Sequence, residues 1–390
     1  MRRDVLVTGF GVHTVFGRGV EALRRGVFAG TPAFAPATRF DTRPYRTPFA
    51  AQGPGDPRLA EVLADCAEDA LAAAGLAAGS AADVLLGCAG DFTAVTRFWR
   101  GDRAASPVDS VPAHLAEGLA ARFGLRGRHL AVTNACVASA HAIIQGCRLI
   151  ATGRADTVLC AGAYLVEEEN FAKFDSGRAL ARDGAVRPFA ADRTGLLLGD
   201  GVAALVLESA EHARARGARP LARITGWGAS SDAHHIAKPH PDGAGMAAAI
   251  RQALRGAGRD SAADPGGAAD AEARPVDYVN AHGTGTPAND SAETRGLHAA
   301  FGAHAAAIPV SSTKSTTGHL LEASGAVEAV ITLLALTDGV LPPTAGHTTP
   351  DPACDLDYVT AGPRPAPVRR ALSLNAAFGG MNTAILLERP

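Results

Sequence analysis

The chain lacks long apolar runs, paired cysteines and any strong excess of charge. Its 390 residues include 37 basic and 39 acidic side chains, so the formal net charge is −2. Nucleic acids and anionic membranes attract strongly basic proteins, and this balance therefore argues against both as partners. No apolar stretch approaches the roughly 18 residues that a membrane-spanning helix requires.

The cysteines are scattered and form neither a C-x-x-C pair nor a metal-ligand spacing. They are Cys66, Cys88, Cys136, Cys147, Cys160 and Cys354. The first residues show no signal peptide. We therefore expect reduced thiols, no disulfide framework, no metal centre and a cytoplasmic location.

What is present is a regular alternation of strand and helix patterns, which is typical of an α/β protein. Strands are predicted at 4–9, 83–88, 129–132, 157–161, 202–207, 221–228, 276–280, 308–312, 371–375 and 383–387. The helices between them are predicted at 20–29, 59–74, 111–123, 137–151, 244–257, 292–301 and 320–336. Two successive α/β series of similar length predict two halves, 1–220 and 221–390, that share one core.

Two polar segments lie outside this alternation of strands and helices. Residues 259–275 consist almost entirely of Ala, Asp, Gly, Pro and Arg, and we predict a mobile surface insertion there. The acidic run at 167–169 is predicted to be solvated and to carry no function.

The segment around Cys136 is the strongest candidate for a catalytic site. The apolar run 129–132 predicts a buried strand, and the small residues Asn134 and Ala135 predict a sharp turn into a helix. A thiol at a helix N-terminus lies near free backbone amides and the positive end of the helix dipole, which stabilise a thiolate. The alternative is that Cys136 is a small buried hydrophobic residue, as most cysteines are.

Two further segments place histidines after predicted strands. His282 follows one strand in a loop rich in Gly and Thr, and His319 follows the next strand after Lys314. Ligand sites form at the carboxyl ends of strands in such sheets. Taken singly, each histidine has an alternative interpretation as an ordinary loop residue, and Lys314 has one as a surface lysine. The glycine-rich turn at 378–380 can offer a free backbone amide to an oxyanion.

Taken together, these motifs resemble the β-ketoacyl-acyl-carrier-protein synthases of the type I and II elongating class. The resemblance rests on the Cys136 segment, the 282–287 loop, Lys314 with His319, and Phe378-Gly-Gly380, and it runs from end to end of the chain. It implies a thiolase-like fold, in which duplicated α/β halves form five layers in the order αβαβα. The first half would carry the nucleophile and the second the two histidines.

The resemblance also implies a role for each matching residue. Cys136 would accept an acyl group from a carrier-protein thioester, and His282 and His319 would assist decarboxylation of a malonyl unit. Lys314 and Glu328 would orient and polarise His319. The backbone amides of Cys136 and Phe378 would form the oxyanion hole, with Phe378 as a gate. The positions that would contact the pantetheine arm are Thr284, Thr286, Gly379 and Gly380.

The same resemblance implies no cofactor, because the substrates are carried on the phosphopantetheine of an acyl carrier protein. The expected partners are that carrier protein and a second subunit, either an identical chain or a related chain-length-factor-like subunit. We therefore predict an acyltransferase that condenses a Cys-bound acyl chain with malonyl-acyl carrier protein by decarboxylative Claisen condensation.

Several departures from the family pattern favour polyketide or other specialised biosynthesis over ordinary fatty-acid elongation. The residue two before the nucleophile is Asn134, and Ala377 replaces the hinge glycine before the gate, which predicts a less mobile gating loop. The alternative function is acyl transfer or cyclisation of a carrier-bound chain without malonyl extension. A non-catalytic partner subunit is disfavoured because Cys136 and both histidines are intact.

Overall fold

The computed structural model describes residues 3–258 and 275–390. Its ten principal strands, numbered in chain order, are β1 (Val5–Thr14), β2 (Asp83–Gly87), β3 (His129–Val132), β4 (Thr157–Tyr164), β5 (Gly201–Ser209), β6 (Ala222–Ser231), β7 (Tyr278–Asn280), β8 (Pro309–Ser311), β9 (Arg370–Ala377) and β10 (Met381–Glu388). The predicted insertion at 259–275 lies outside the described residues except for Pro275.

The principal helices are numbered in the same way. They are α1 (Leu59–Ala74), α2 (Phe92–Trp99), α3 (Pro112–Phe123), α4 (Ala138–Ala151), α5 (Glu168–Ser176), α6 (Ala244–Gly256), α7 (Pro287–Phe301) and α8 (Ser324–Asp338). The predicted helix at 59–74 is confirmed to the residue, and Gly75 ends it in the left-handed conformation at φ 65°. Among the described residues, no helix combines the length and the apolar character that crossing a bilayer demands.

Shorter elements complete the chain. The short helices are Val20–Leu23, Arg24–Phe28, Pro107–Ser110, Ala135–Val137, Ala210–Ala215, Gly302–Ala307, Lys314–Thr317 and Leu321–Ala323. The short strands are Gly17–Arg18, Ala35–Pro36, Phe49–Ala50, Val340–Leu341, Asp357–Tyr358 and Arg364–Pro365.

The strand order repeats between the two halves of the chain. In the first half it is β1-β5-β4-β2-β3, and in the second half it is β6-β10-β9-β7-β8. In each half the first two pairings are antiparallel and the last two are parallel. The halves join where β1 pairs with β6, with Val5 opposite Ile224 and Val7 opposite Ala222. The topology is that of a duplicated α/β unit.

Three hydrophobic cores separate the layers of the fold. One lies between α1, α3 and the outer face of the first half's sheet, and a matching one lies beneath α6 and α7 on the second half. The largest core surrounds α4 and α8, which pack against each other in the middle. The predicted five-layered arrangement is therefore confirmed.

The two central helices approach each other closely because small residues line their contact. A methyl group added at Gly325 of α8 would lie 2.4 Å from the backbone nitrogen of Ala140 on α4. Nearby, the backbone N–H of Ala326 donates a 2.9 Å hydrogen bond to the hydroxyl of Ser139. This contact fixes the turn before α4 against the turn before α8, and the candidate site lies between these turns.

The burial predicted for two segments was wrong. The strand at 129–132 is present, but it is the outermost strand of its sheet and Leu130 is 53% exposed, because none of the residues that the structure describes covers its outer side. The acidic run at 167–169 is only partly solvated, since Glu167 is buried and caps α5. Burial depends on the order of strands and the packing of helix ends, which local patterns do not contain.

Candidate active site

The turn that carries Cys136 is strained. Ala135 has φ 54°, an uncommon conformation for a residue with a side chain, and the 3-10 turn Ala135–Val137 leads directly into α4. Asn134 is held in place by a 2.7 Å hydrogen bond to Nδ1 of His141, in the first turn of α4. The predicted strand-to-helix turn is present, and it holds the Cys136 thiol at the centre of the molecule.

In the folded chain, the groups that stabilise a Cys136 thiolate are outweighed by the effects that destabilise it. Burial raises the pKa of Cys136 to about 12, and Glu322 raises it further, whereas Lys314 and the backbone N–H of Cys136 itself lower it. The prediction that helix amides favour the thiolate was therefore incomplete, because it left out desolvation. A protonated thiol needs a base to remove its proton before it can attack.

His282 lies just beyond β7, in a loop that a buried carboxylate holds in place. The two oxygens of Glu293 each accept a 2.7 Å hydrogen bond, one from the backbone N–H of His282 and the other from that of Gly283. The side chain of His282 is 4% exposed, and its Nδ1 has no hydrogen-bond partner among the described residues. The imidazole is therefore fixed by its backbone and keeps a ring nitrogen available.

His319 has its tautomer set by its own loop. Its Nδ1 accepts a 3.1 Å hydrogen bond from the backbone N–H of Leu321, and the hydroxyl of Ser324 lies 3.3 Å from the same nitrogen. Because Nδ1 accepts a hydrogen bond, it carries no hydrogen, and the neutral ring has its hydrogen on Nε2. The helix predicted at 320–336 begins later: Gly318 at φ 74° and Leu321 at φ 43° interrupt helical geometry before it, and α8 begins at Ser324.

The two imidazoles lie side by side in a dry environment. Their ring centroids are 5.3 Å apart and their planes are nearly perpendicular, at 81°. Burial lowers the pKa of both rings well below the usual range, and the Lys314 cation lowers each of them further. Both histidines are therefore neutral at physiological pH and can either donate an N–H or accept a proton.

Lys314 belongs to a buried polar chain. Its Nζ donates a 2.5 Å hydrogen bond to Oε1 of Glu328, and Oε2 of Glu328 accepts a 2.6 Å hydrogen bond from the side-chain amide of Asn375. Both charged side chains are 1% exposed. The hydrogen bond from Lys314 goes to Glu328, so its influence on the imidazoles is exerted through space, and His319 takes its orientation from Leu321 and Ser324.

The other predicted positions surround this centre. Thr284 and Thr286 share a 2.8 Å hydrogen bond between their hydroxyls, at the start of α7. Phe378 is 49% exposed and its ring stacks on Phe174, with centroids 5.7 Å apart. The contact of Thr284 and Thr286 with a pantetheine arm stays a prediction, as does the role of Phe378 as a gate.

The glycines that the hairpin after β9 requires are Gly379 and Gly380, at φ 84° and 75°. The backbone N–H of Gly379 donates a 2.7 Å hydrogen bond to the carbonyl of Ile236. Ala377, by contrast, belongs to β9 and pairs with Met381, so alanine is compatible with the extended conformation there.

Sequence reasoning missed Glu293, Asn375 and Glu322. Glu293 supports the loop of His282, Asn375 completes the Glu328 chain, and Glu322 raises the pKa of Cys136. The available signal was a polar residue inside an otherwise apolar or small-residue segment, as Glu322 is in the run that follows His319.

A buried cysteine beside two neutral imidazoles, in a duplicated five-layered α/β fold, defines a thiolase-like acyl-transfer enzyme. Sequence profiles of the N-terminal and C-terminal domains of β-ketoacyl synthases match residues 56–213 and 221–348, respectively. The chain belongs to the β-ketoacyl synthase family.

Individual relatives agree with this assignment. The 3-oxoacyl-[acyl-carrier-protein] synthase 2 of Synechocystis sp. is 35% identical, over 100% of this chain and 98% of the relative. The solved ishigamide ketosynthase/chain length factor superposes with a TM-score of 0.89 at 33% identity, over all of both chains. A type II PKS acyl-carrier protein in complex with its ketosynthase bound to the hexaketide gives a TM-score of 0.87 at 27% identity, again over all of both chains.

Proposed function

We propose that the chain catalyses the decarboxylative condensation of an acyl group on Cys136 with malonyl-acyl carrier protein. The observation that carries the proposal is the pair of neutral, buried imidazoles, His282 and His319, together with the packing of the turn Leu321–Ala323, which follows His319, against the turn of Cys136. Two such rings can supply N–H donors to a developing negative charge, which is what decarboxylation of a malonyl thioester demands.

In the first step the thiol of Cys136 attacks the acyl thioester of the carrier protein. Because the pKa of Cys136 is raised to about 12, a neutral imidazole accepts the proton as the sulfur attacks. The carrier's pantetheine thiolate leaves and takes a proton, and the acyl chain stays on Cys136 as a thioester. The backbone N–H groups of Cys136 and Phe378 stabilise the tetrahedral oxyanion in this proposal.

In the second step malonyl-carrier protein loses carbon dioxide and leaves an enolate of the acetyl thioester. His282 and His319 donate N–H hydrogen bonds to the enolate oxygen; the Nε2 hydrogen that the Leu321 contact assigns to His319 supports this role. The enolate carbon attacks the acyl carbonyl on Cys136, the carbon–sulfur bond breaks, and the thiolate of Cys136 regains a proton. The product is a β-ketoacyl-carrier protein that is two carbons longer.

Lys314 and Glu328 act on the imidazoles through their charges in this scheme. Burial lowers the pKa of both imidazoles and the Lys314 cation lowers it further, while Glu328 neutralises the cation inside the core. The steps balance with no redox or metal chemistry, and we propose that phosphopantetheine is needed only as the carrier of the substrates.

The expected partners belong to the same proposal. The similar solved complexes pair a ketosynthase with an acyl-carrier protein or a chain length factor. On this chain the exposed edge of β3, with Leu130 at its surface, offers unpaired backbone groups to a second subunit. We propose a dimer with an identical or a related chain, working in the cytoplasm.

The test is mass spectrometry of the carrier protein after incubation with the enzyme, an acyl-carrier protein and malonyl-carrier protein labelled with ¹³C. The expected product is a labelled β-ketoacyl-carrier protein, formed together with carbon dioxide. It should disappear with Cys136→Ala and persist with Cys66→Ala, a control that removes another buried thiol, on α1 in the outer core of the first half.

Acylation of Cys136 without consumption of malonyl-carrier protein would refute the condensation. It would favour the alternative of acyl transfer or cyclisation.

A further inference from the structure

A narrow cavity lies at the carboxyl ends of β2 and β4, beside the turn that carries Cys136. Its floor is formed by the segments after these two strands, and the first residues of α2 and α5 cover it. Its wall includes the charged side chains of Arg39, Asp56, Asp91, Glu167 and Glu322 and the hydroxyl of Tyr164. Acidic groups therefore outnumber basic ones at this wall.

Glu322 is the member of this set nearest to the nucleophile. It lies on the 3-10 turn Leu321–Ala323, which packs directly against the turn Ala135–Val137 of Cys136. The side chain is 9% exposed, and no arginine, lysine or histidine forms an ion pair with it in the part of the chain that the structure describes. Leu321, at φ 43°, adopts a strained conformation that presents Glu322 in this position.

The basic groups near the cavity are already engaged elsewhere. Arg39 forms two hydrogen bonds with the carboxylate of Asp200, at 2.7 and 2.9 Å, and both side chains are buried. Arg97 is paired with Asp56. Glu167 uses its two oxygens to accept the backbone N–H groups of Glu169 and Asn170, at 2.6 and 2.9 Å. Lys173, the cation whose charge acts on Glu322 from outside the wall, forms its ion pair with Glu169 at 2.7 Å, so Glu322 has no ion pair of its own among the described residues.

Tyr164 supplies an independent sign of a missing ligand. Its side chain is 5% exposed, and its hydroxyl has no hydrogen-bond partner among the described residues. Buried hydroxyl groups are nearly always hydrogen-bonded, so an orphaned one at a cavity wall indicates that a polar group belongs there. Burial also raises the pKa of Glu167 to about 7 and that of Glu322, and the charge of Lys173 offsets the rise only in part.

We propose that the acyl chain carried by Cys136 bears a protonated basic nitrogen, which Glu322 recognises by charge and Tyr164 by hydrogen bonding. The proposal rests on the function proposed above, since it names the class of chain that the same nucleophile accepts. A purely alkyl chain would bury its methylene groups against an unpaired carboxylate, whereas an ammonium group would form the ion pair that the cavity lacks.

The test compares acylation of Cys136 by matched thioesters of N-acetylcysteamine. One series carries a terminal amine, the second a terminal hydroxyl and the third a terminal methyl, at equal chain lengths. Second-order rates are measured by mass spectrometry of the Cys136 peptide. We expect the amine series to react faster than the methyl series by about ten- to a hundredfold, the range that a hydrogen bond to a charged group supplies.

Variants assign the preference to the proposed residues. Glu322→Gln should remove most of the amine-to-methyl rate ratio, Glu322→Leu should reverse it, and Tyr164→Phe should reduce it. The ratio is taken within each variant, so any change in the intrinsic reactivity of the thiol cancels. Glu117→Gln, which removes a carboxylate that is 62% exposed on α3, is the control and should keep the wild-type ratio.

The outcomes separate the two proposals. Acylation with a preference for methyl or hydroxyl chains, or an amine preference that Glu322→Gln leaves unchanged, overturns this inference and leaves the condensation intact. If none of the three thioester series and no acyl-carrier protein acylates Cys136, the proposed function is overturned, and this inference with it.

Discussion

Lys314 donates a 2.5 Å hydrogen bond to Glu328 at a point where both side chains are 1% exposed. Two opposite charges so deeply buried are held by each other, and the amide of Asn375 satisfies the second oxygen of Glu328. The pair lies behind the imidazoles and affects them through its charge. It is thus part of both the stability of the core and the electrostatics of the site.

The first prediction concerns this pair. Lys314→Met leaves the Glu328 carboxylate buried without a countercharge, and Glu328→Gln does the same to the Lys314 cation. Each single change should lower the free energy of unfolding by about 3–5 kcal/mol. The double variant should lose clearly less than the sum, because glutamine still accepts from Asn375 and no lone charge remains. Urea unfolding followed by circular dichroism measures all three; additivity within about 0.5 kcal/mol would contradict the coupling.

The second prediction concerns the thiol of Cys136. Glu322 raises its pKa, so Glu322→Gln should lower that pKa and enlarge the thiolate fraction at a given pH. Each unit of change is worth about tenfold in thiolate fraction while the pH stays below the pKa. Alkylation of the Cys136 peptide by iodoacetamide at pH 8 should therefore accelerate by up to about tenfold. An unchanged rate, with Glu117→Gln as reference, would show that the carboxylate does not influence the thiol.

The third prediction concerns Glu293, whose oxygens accept the backbone N–H groups of His282 and Gly283. Burial raises its pKa to about 7, and Asp290 raises it further while Lys314 opposes the shift. A protonated carboxyl cannot accept both hydrogen bonds. Turnover should therefore fall as the pH decreases through about 7, because the loop of His282 loses one of its two anchors.

Glu293→Gln is the matching variant. It keeps one acceptor, should lower turnover with little change in KM, and should remove the inflection near pH 7. Its effect on stability has the opposite pH dependence: the folded pKa lies above the ordinary 4.5, so burial of the carboxylate costs stability increasingly from about pH 4.5 to about 7. The glutamine variant should lack this decline, which pH-dependent urea unfolding would detect. If the pH–rate profile of Glu293→Gln kept the inflection seen in the wild type, the inflection would belong to the titration of another group.

The fourth prediction concerns the contact between α4 and α8. Gly325→Ala places a methyl group 2.4 Å from the backbone nitrogen of Ala140, so the helices must separate. The free energy of unfolding should fall by about 1–3 kcal/mol, with a parallel loss of activity, because the turns of Cys136 and Glu322 lie at this contact.

Gly118→Ala is the control for that change. Gly118 lies within α3 with open space around its Cα, so alanine there should stabilise the chain by about 0.5–1 kcal/mol. Thermal and urea unfolding compare the two variants. Equal effects would mean that helix propensity, and not the helix contact, governs both positions.

The fold was predictable from sequence where periodicity is strong. The apolar pattern of α1 with Gly75 after it, and the apolar run 202–207 within β5, indicate a helix and a buried strand without reference to distant residues. The turn at Cys136 was predictable because small residues interrupt a strand and a helix. The exposed edge at Leu130 was not, because the strand order β1-β5-β4-β2-β3 comes from long-range pairing.

The electrostatics of the site were less accessible to sequence reasoning. The sequence does not show whether a carboxylate such as Glu322 is solvated or buried. Its influence on Cys136 depends on the packing of two turns that are distant in the chain. The same applies to Glu293, which supports a loop 10 to 11 positions away through backbone hydrogen bonds. Only the packed structure relates these charges to the thiol.

The repeated strand order has a consequence for how the site is divided. Cys136 and Glu322 are counterparts across an internal pseudo-twofold axis: each is the middle residue of a 3-10 turn, each follows a residue at positive φ, and each precedes its central helix by two positions. The duplication has therefore supplied two copies of one structural niche, facing each other. One copy holds the nucleophile, and the other is left free to diverge as a sensor of the chain that the nucleophile carries.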